Sequence, residues 1–147
     1  MLTLDVHTAS ESERSAVIGV ITLAFATDPM ARWAFPDPAT YLAVMPEIAA
    51  AFGDNGFPHG AAHLIDGGFG AAMWLPPGIA PDEDRLAAIT DTHAPKDRFD
   101  DMAQIFEQMG RHHPHGPCWY LPLIGVDPAH QGRGYATEAC RANRASR

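Results

Sequence analysis

Leu2, Leu4 and Val6 alternate with Thr3 and Asp5, the period of a strand with one buried face. Ser10 followed by Glu13 has the form of a capping box, and Val17, Ile21 and Ala24–Phe25 then recur at helical spacing, predicting a helix over 11–26. Asp28-Pro29 ends that helix, and Phe35-Pro36-Asp37-Pro38 punctuates the chain before an alanine-rich segment, 40–52, that reads as another. A loop over 53–60 leads to two short strands, 62–65 and 69–75, joined by Asp66-Gly67-Gly68 as a hairpin. Helical segments are predicted over 82–89 and 97–112. The second carries one apolar stripe, Phe99, Met102, Phe106 and Met109. Pro114 and Pro117 close it.

The run from Cys118 to Val126 is apolar at both alternating sets of positions, which predicts a central strand covered on two faces. Pro122 has no amide to give to a ladder, so a local break in pairing is expected beside it. No repeat, low-complexity tract or linker divides the chain, and residues 1–147 read as a single α/β (α+β) domain.

Composition narrows the function classes. Eighteen acidic and ten basic side chains give a formal charge of −8, and Lys96 is the only lysine, which argues against a protein that binds nucleic acid by broad phosphate neutralisation. The most apolar stretch, 15–27, is too short to span a bilayer and lacks a basic leader, so neither membrane nor signal peptide is read and a cytoplasmic location is expected. Cys118 and Cys140 lie far apart without zinc-ligand spacing. His112, His113, His115 and His130 sit among prolines and glycines, and a surface turn is preferred to a metal site. No metal is expected. Asp97, Asp100, Asp101 and Glu107 surround the apolar stripe of their helix and read as its solvated face.

The chemistry concentrates after the apolar strand. Asp127-Pro128-Ala129-His130 leads to Gln131-Gly132-Arg133-Gly134-Tyr135-Ala136 and a helical segment over 137–144. A helix start has main-chain N–H groups without intrahelical partners, and with the helix dipole they suit anionic oxygens such as those of a pyrophosphate. Gly132 and Gly134 allow close backbone approach, and Arg133 can add a charge-assisted contact.

The segment Leu123–Ala136 resembles the acyl-CoA-binding motif V-x-P-x-x-Q/R-x-x-G-x-G/A of the GNAT (GCN5-related) N-acetyltransferases. Val126, Pro128, Gln131, Gly134 and Ala136 fill every defined position, and Trp119-Tyr120-Leu121 is similar to a common form of that family's fourth strand. The resemblance implies a mixed, mostly antiparallel sheet flanked by helices. It also implies acetyl-CoA as co-substrate and transfer of its acyl group to a small-molecule or peptide amine by direct attack in a ternary complex. Ile124 and Val126 would offer main-chain groups to the pantetheine arm. Gln131, Gly132, Arg133, Gly134, Tyr135 and Ala136 would wrap the pyrophosphate, and the Val126 amide would polarise the thioester.

Trp33, Phe35, Asp28 and Asp37 lie where the family commonly forms part of its acceptor wall, and core packing is an equal reading for the aromatics. No general acid or base is assigned. A full domain of that family continues past the motif helix with a strand, a helix bearing a frequent tyrosine acid and a hairpin, whereas this sequence ends at Arg147. The expectation is therefore of a C-terminally incomplete domain whose last strand has an uncovered edge open to homodimerisation. The rival reading is a non-catalytic domain acting through CoA or protein binding.

Overall fold

A computed structural model describes residues 4–65 and 67–145. Leu2, Thr3 and Asp66 of the expected strand and turn lie outside them. In chain order the elements are β1 (Val6–Thr8), α1 (Arg14–Ala24), α2 (Pro29–Ala34), α3 (Pro38–Gly53), β2 (Ala62–Ile65), β3 (Gly70–Leu75), α4 (Glu83–His93), α5 (Phe99–His112), β4 (Tyr120–Val126) and α6 (Tyr135–Ala145). Short 3-10 turns precede α1, α5 and α6 and follow α3.

Local chemistry explains the helix starts. The Ser10 main-chain N–H donates to Glu13 Oε2 at 2.9 Å, as the capping-box spacing predicts. The Asp28 carboxylate accepts the Ala31 N–H at 2.8 Å, and Asp37 accepts the Thr40 N–H at 2.8 Å, each with proline at the first helical position. Asp28-Pro29 is thus not only the end of one helix but the start of a short second one, α2, absent from the sequence reading. The segment 53–60, read as a loop, contains a 3-10 turn over Asp54–His59.

The four strands run in the order β1-β2-β3-β4, and all three pairings are antiparallel. Among the described residues the first strand pairs from Val6, opposite Ile65, to Thr8, opposite His63, so it runs two residues past the predicted alternation. The hairpin is as read, except that Phe69 belongs to the turn; Gly67 and Gly68 take φ of +70° and +112°.

Alternation divides the sheet into two faces. On one, Ala62, Leu64, Ala71, Met73 and Leu123 join the large core beneath α1 and α3; on the other, Ile65, Ala72 and Val126 pack with Tyr135 and Ala139 of α6. This corrects one expectation. Among the described residues β4 lies at the sheet edge, not at its centre. Its two-sided apolar pattern reports two covered faces, which is a separate matter from two covered edges. The break at Pro122 is present: Met73 pairs with Leu123 and Leu75 with Tyr120, so Trp74 alone stands opposite Leu121 and Pro122. The α5 stripe reaches the core only at its start. Met102 is buried, while Phe106 and Met109 remain 44% and 47% exposed.

Candidate active site

The edge position of β4 determines which main-chain groups are available. Asp127 N–H donates to Phe69 O at 2.8 Å, extending the β3–β4 ladder by one residue. In an antiparallel pair, residues alternate between bonding their partner and turning their N–H and C=O away. With Gly125 opposite Ala71 and Val126 opposite Gly70, the groups of Gly125 face β3, whereas those of Ile124 and Val126 face the free edge. The Val126 carbonyl accordingly accepts a hydrogen bond from Gln131 Nε2 at 3.2 Å.

Beyond the strand the chain turns through Pro128–His130. Asp127 Oδ1 accepts the Ala129 N–H at 2.8 Å and Asp127 O accepts the His130 N–H at 2.8 Å. Gly132 and Gly134 then adopt φ of +76° and +86°, a region an L side chain would strain to occupy, with nothing within 4 Å of where a Cβ would sit. Helix α6 begins at Tyr135, and its first main-chain bond back into the turn runs from Glu138 N–H to Gly134 O at 3.1 Å. Among the described residues, no intramolecular acceptor is found for the main-chain N–H groups of residues 131–137.

A cleft of about 530 Å³ opens at this place. One wall is formed by Ile124, Gly125 and Val126, and the end by Gln131, Gly132, Gly134, Tyr135, Ala136 and Thr137. Seven of the eight residues expected to contact a cofactor are therefore gathered around one cavity. Arg133 is not; its side chain is exposed and away from the lining. The opposite wall, Ala24, Phe25, Thr27 and Asp28, comes from the end of α1 and the start of α2. Periodicity could not place it there, because the approach of α1 to β4 depends on Gly125: a Cβ there would lie 2.7 Å from Ala24 Cβ and 3.2 Å from Ile21 Cδ1.

Of the four residues considered for an acceptor wall, only Asp28 reaches the cleft. Asp37 caps α3, Phe35 is buried in the core, and Trp33 lies beneath the Arg98 guanidinium, 5.5 Å from its ring centroid. Neither Trp119 nor Tyr120 lines the cleft. Burial raises the Tyr120 phenol above its ordinary range. Among the described residues, no three His, Cys, Asp or Glu side chains converge as a metal-holding group. His130, read from sequence as part of a surface turn, lines the cleft and stacks on Phe69, with ring centroids 3.9 Å apart.

The same fold recurs in acetyltransferases of known structure. An acetyltransferase from Corynebacterium glutamicum, described as histone acetyltransferase HPA2 and related acetyltransferase, superposes with a TM-score of 0.64 at 22% identity, covering 99% of this chain and 72% of that one. The chain has the GNAT acetyltransferase fold. A polyamine N-acetyltransferase of Drosophila melanogaster matches this GNAT fold with a TM-score of 0.57 at 12% identity, over 98% of this chain and 70% of that one. An agmatine N-acetyltransferase matches with a TM-score of 0.56 at 13% identity, over 97% and 69% respectively. At the level of sequence, no family model and no curated protein matches. No helix among the described residues of this GNAT-fold chain is long and apolar enough to cross a membrane.

Proposed function

We propose that the chain is a GNAT-type N-acetyltransferase that binds acetyl-CoA in the cleft between β4 and α6 and transfers its acetyl group to an amine. The observation that carries this reading is the run of main-chain N–H groups over 131–137, without internal acceptors and at the end of a cavity whose side wall is the free edge of β4. Amides at a helix start, reinforced by the α6 dipole, match the diphosphate of CoA. The outward-facing groups of Ile124 and Val126 match the amides of a pantetheine arm running along the strand edge as an additional strand would. The names of the structural neighbours, N-acetyltransferases acting on agmatine and polyamines, support the same reaction class.

Acetyl-CoA supplies an activated acyl group, so no covalent enzyme intermediate is needed. The residues of this chain hold the thioester and the amine in one cleft, which makes the encounter effectively intramolecular. To the Val126 N–H, which faces away from β3, we assign the hydrogen bond to the thioester oxygen as it gains charge. Asp28, whose Oδ1 caps α2, also lines the cleft, and its negative charge there suits an incoming ammonium group. The ammonium first gives one proton to water; the neutral amine nitrogen then bonds to the acyl carbon, the carbon–sulfur bond breaks, and the second proton lost by the nitrogen is the one gained by the thiol. The rival reading, a binding domain without turnover, has no observation in its favour. A cytoplasmic location and a homodimer formed through the β4 edge belong to the proposal.

Isothermal titration with acetyl-CoA tests the binding step, and Gly134→Val is the informative variant. A β-branched residue at φ +86° forces the loop out of shape, so heat of binding is expected for the wild type and none for the variant. Equal binding by both overturns the assignment of the loop. Thiol release with a panel of amines then distinguishes an enzyme from a binder.

A further inference from the structure

A loop whose amides make no internal hydrogen bonds is poorly held by its own backbone, and ordering it on ligand binding would cost conformational entropy. Among the described residues, only the Gln131 side chain, bonded to Val126 O, and the Gly134 carbonyl, bonded to the Glu138 N–H, tie it down by hydrogen bonds, and ring packing adds to these. His130 and Tyr135 bracket this segment, and both rings meet a single side chain from a distant part of the chain, Phe69. Its ring stacks on His130 at 3.9 Å with planes 12° apart, and meets Tyr135 edge-on at 6.3 Å and 79°. The His130 and Tyr135 rings are themselves perpendicular at 6.4 Å and 86°. Phe69 is held independently by its backbone: its N–H donates to Ile65 O at 2.9 Å, and its carbonyl accepts the Asp127 N–H at 2.8 Å. The tip of the β2–β3 hairpin is thereby bonded to the corner that opens the loop, while its aromatic side chain touches the residues at both ends of it.

We infer that Phe69 is a positioning residue that clamps both ends of the 131–134 amide loop through His130 and Tyr135, preorganising the loop for the diphosphate of the CoA co-substrate. This rests on the reading under Proposed function for the identity of the ligand, but not for the clamp itself. Phe69 does not line the cleft and touches no ligand; its action is to keep the amides in their binding arrangement. At 38% exposed it lies at the margin of the second core, where leucine keeps apolar bulk against Tyr135.

The test uses the 147-residue chain with Phe69→Leu, which keeps apolar bulk but loses the stack, and Phe69→Tyr, which keeps it. In the ligand-free protein, amide nitrogen relaxation of Gly132 and Gly134 is the direct readout. Order parameters are expected to fall in Phe69→Leu and to match wild type in Phe69→Tyr, with the melting temperatures of all three close together. Titration with acetyl-CoA should then show roughly 2- to 10-fold weaker binding for Phe69→Leu, the range for loss of an aromatic pair, with recovery in Phe69→Tyr. Unchanged relaxation of the two glycines in Phe69→Leu overturns the clamp, as does unchanged affinity. Absence of acetyl-CoA binding by the wild type overturns the proposed function instead, and the relaxation result still decides whether the clamp exists.

Discussion

At the scale of single residues, two of the three buried polar side chains among the described residues, His63 and Asn143, lie on the sheet face covered by α6, and the third, Thr22 on α1, donates to the Ile18 carbonyl. His63 on β2 is 2% exposed and its imidazole is held by the Asn143 side chain and the His7 backbone; Asn143, on α6, is equally buried. Burial, the largest influence, holds the His63 pKa below its ordinary value of 6.5, outweighing those hydrogen bonds. The unfolded chain therefore takes up a proton before the folded one does. Stability is full above pH 6.5 and declines as the pH falls from there towards the depressed folded value. Urea midpoints measured between pH 8 and 5 should show this decline, and His63→Gln should flatten it. Glu13 acts in a different window: the Ser10 main-chain N–H, then His7, hold its carboxyl at about 2 against 4.5, so its contribution is lost only as pH falls below 4.5. The candidate site residues were legible at this scale because glycine at two positions of a helix-opening turn has a backbone meaning independent of context. Phe69 was not legible, since its stacking on His130 joins residues remote in sequence.

At the scale of elements, the contact between α1 and β4 sets the width of the cleft. Gly125 permits it by leaving Ala24 and Ile21 room against the strand. Replacing Gly125 with alanine drives a methyl group to 2.7 Å from the Ala24 methyl, which has no rotamer to swing aside, and against the end of Ile21. Overpacking of this kind costs about 1–3 kcal/mol, more than the roughly 0.5–1 kcal/mol gained from lower backbone entropy. A lowered urea midpoint with unchanged slope is expected for Gly125→Ala, and equal midpoints would show that α1 yields without cost. The sequence carried the elements well where a cap or a turn marked them: the Ser10–Glu13 start of the first helical segment, the Gly67-Gly68 turn and the Pro122 break all appear in the structure. It failed at α2, although Asp28-Pro29 is as good a helix start as Asp37-Pro38, because an Asp-Pro step directly after an apolar helix also marks that helix's end. The α5 residues Phe99, Met102, Phe106 and Met109 form one apolar stripe, yet only Met102 is buried and Phe99 partly so, since periodicity states which residues share a face and not how far a neighbour extends along it.

At the scale of the whole molecule, the free edge of β4 is both the proposed cofactor wall and an unpaired strand edge. The same outward-facing groups of Ile124 and Val126 serve a pantetheine arm or another strand, but not both at once. Light scattering coupled to size exclusion should therefore give a mass above the 15.8 kDa of one chain that rises with concentration, and acetyl-CoA should lower it towards the monomer. A monomer at every concentration would show that the edge is protected without ligand.

The order of apolar and polar positions, together with caps, prolines and glycines, was enough to specify most of the elements, the antiparallel hairpin and the strand–turn–helix that carries the proposed chemistry, because each is governed by interactions within a few residues. Tertiary structure alone decided that Ala24, Phe25, Thr27 and Asp28 close the cleft and that Arg133 stays outside it. It also decided that one phenylalanine secures the amide loop at both ends. These depend on which surfaces meet after the chain has folded back on itself, and a one-dimensional pattern records that a face is apolar without recording what covers it.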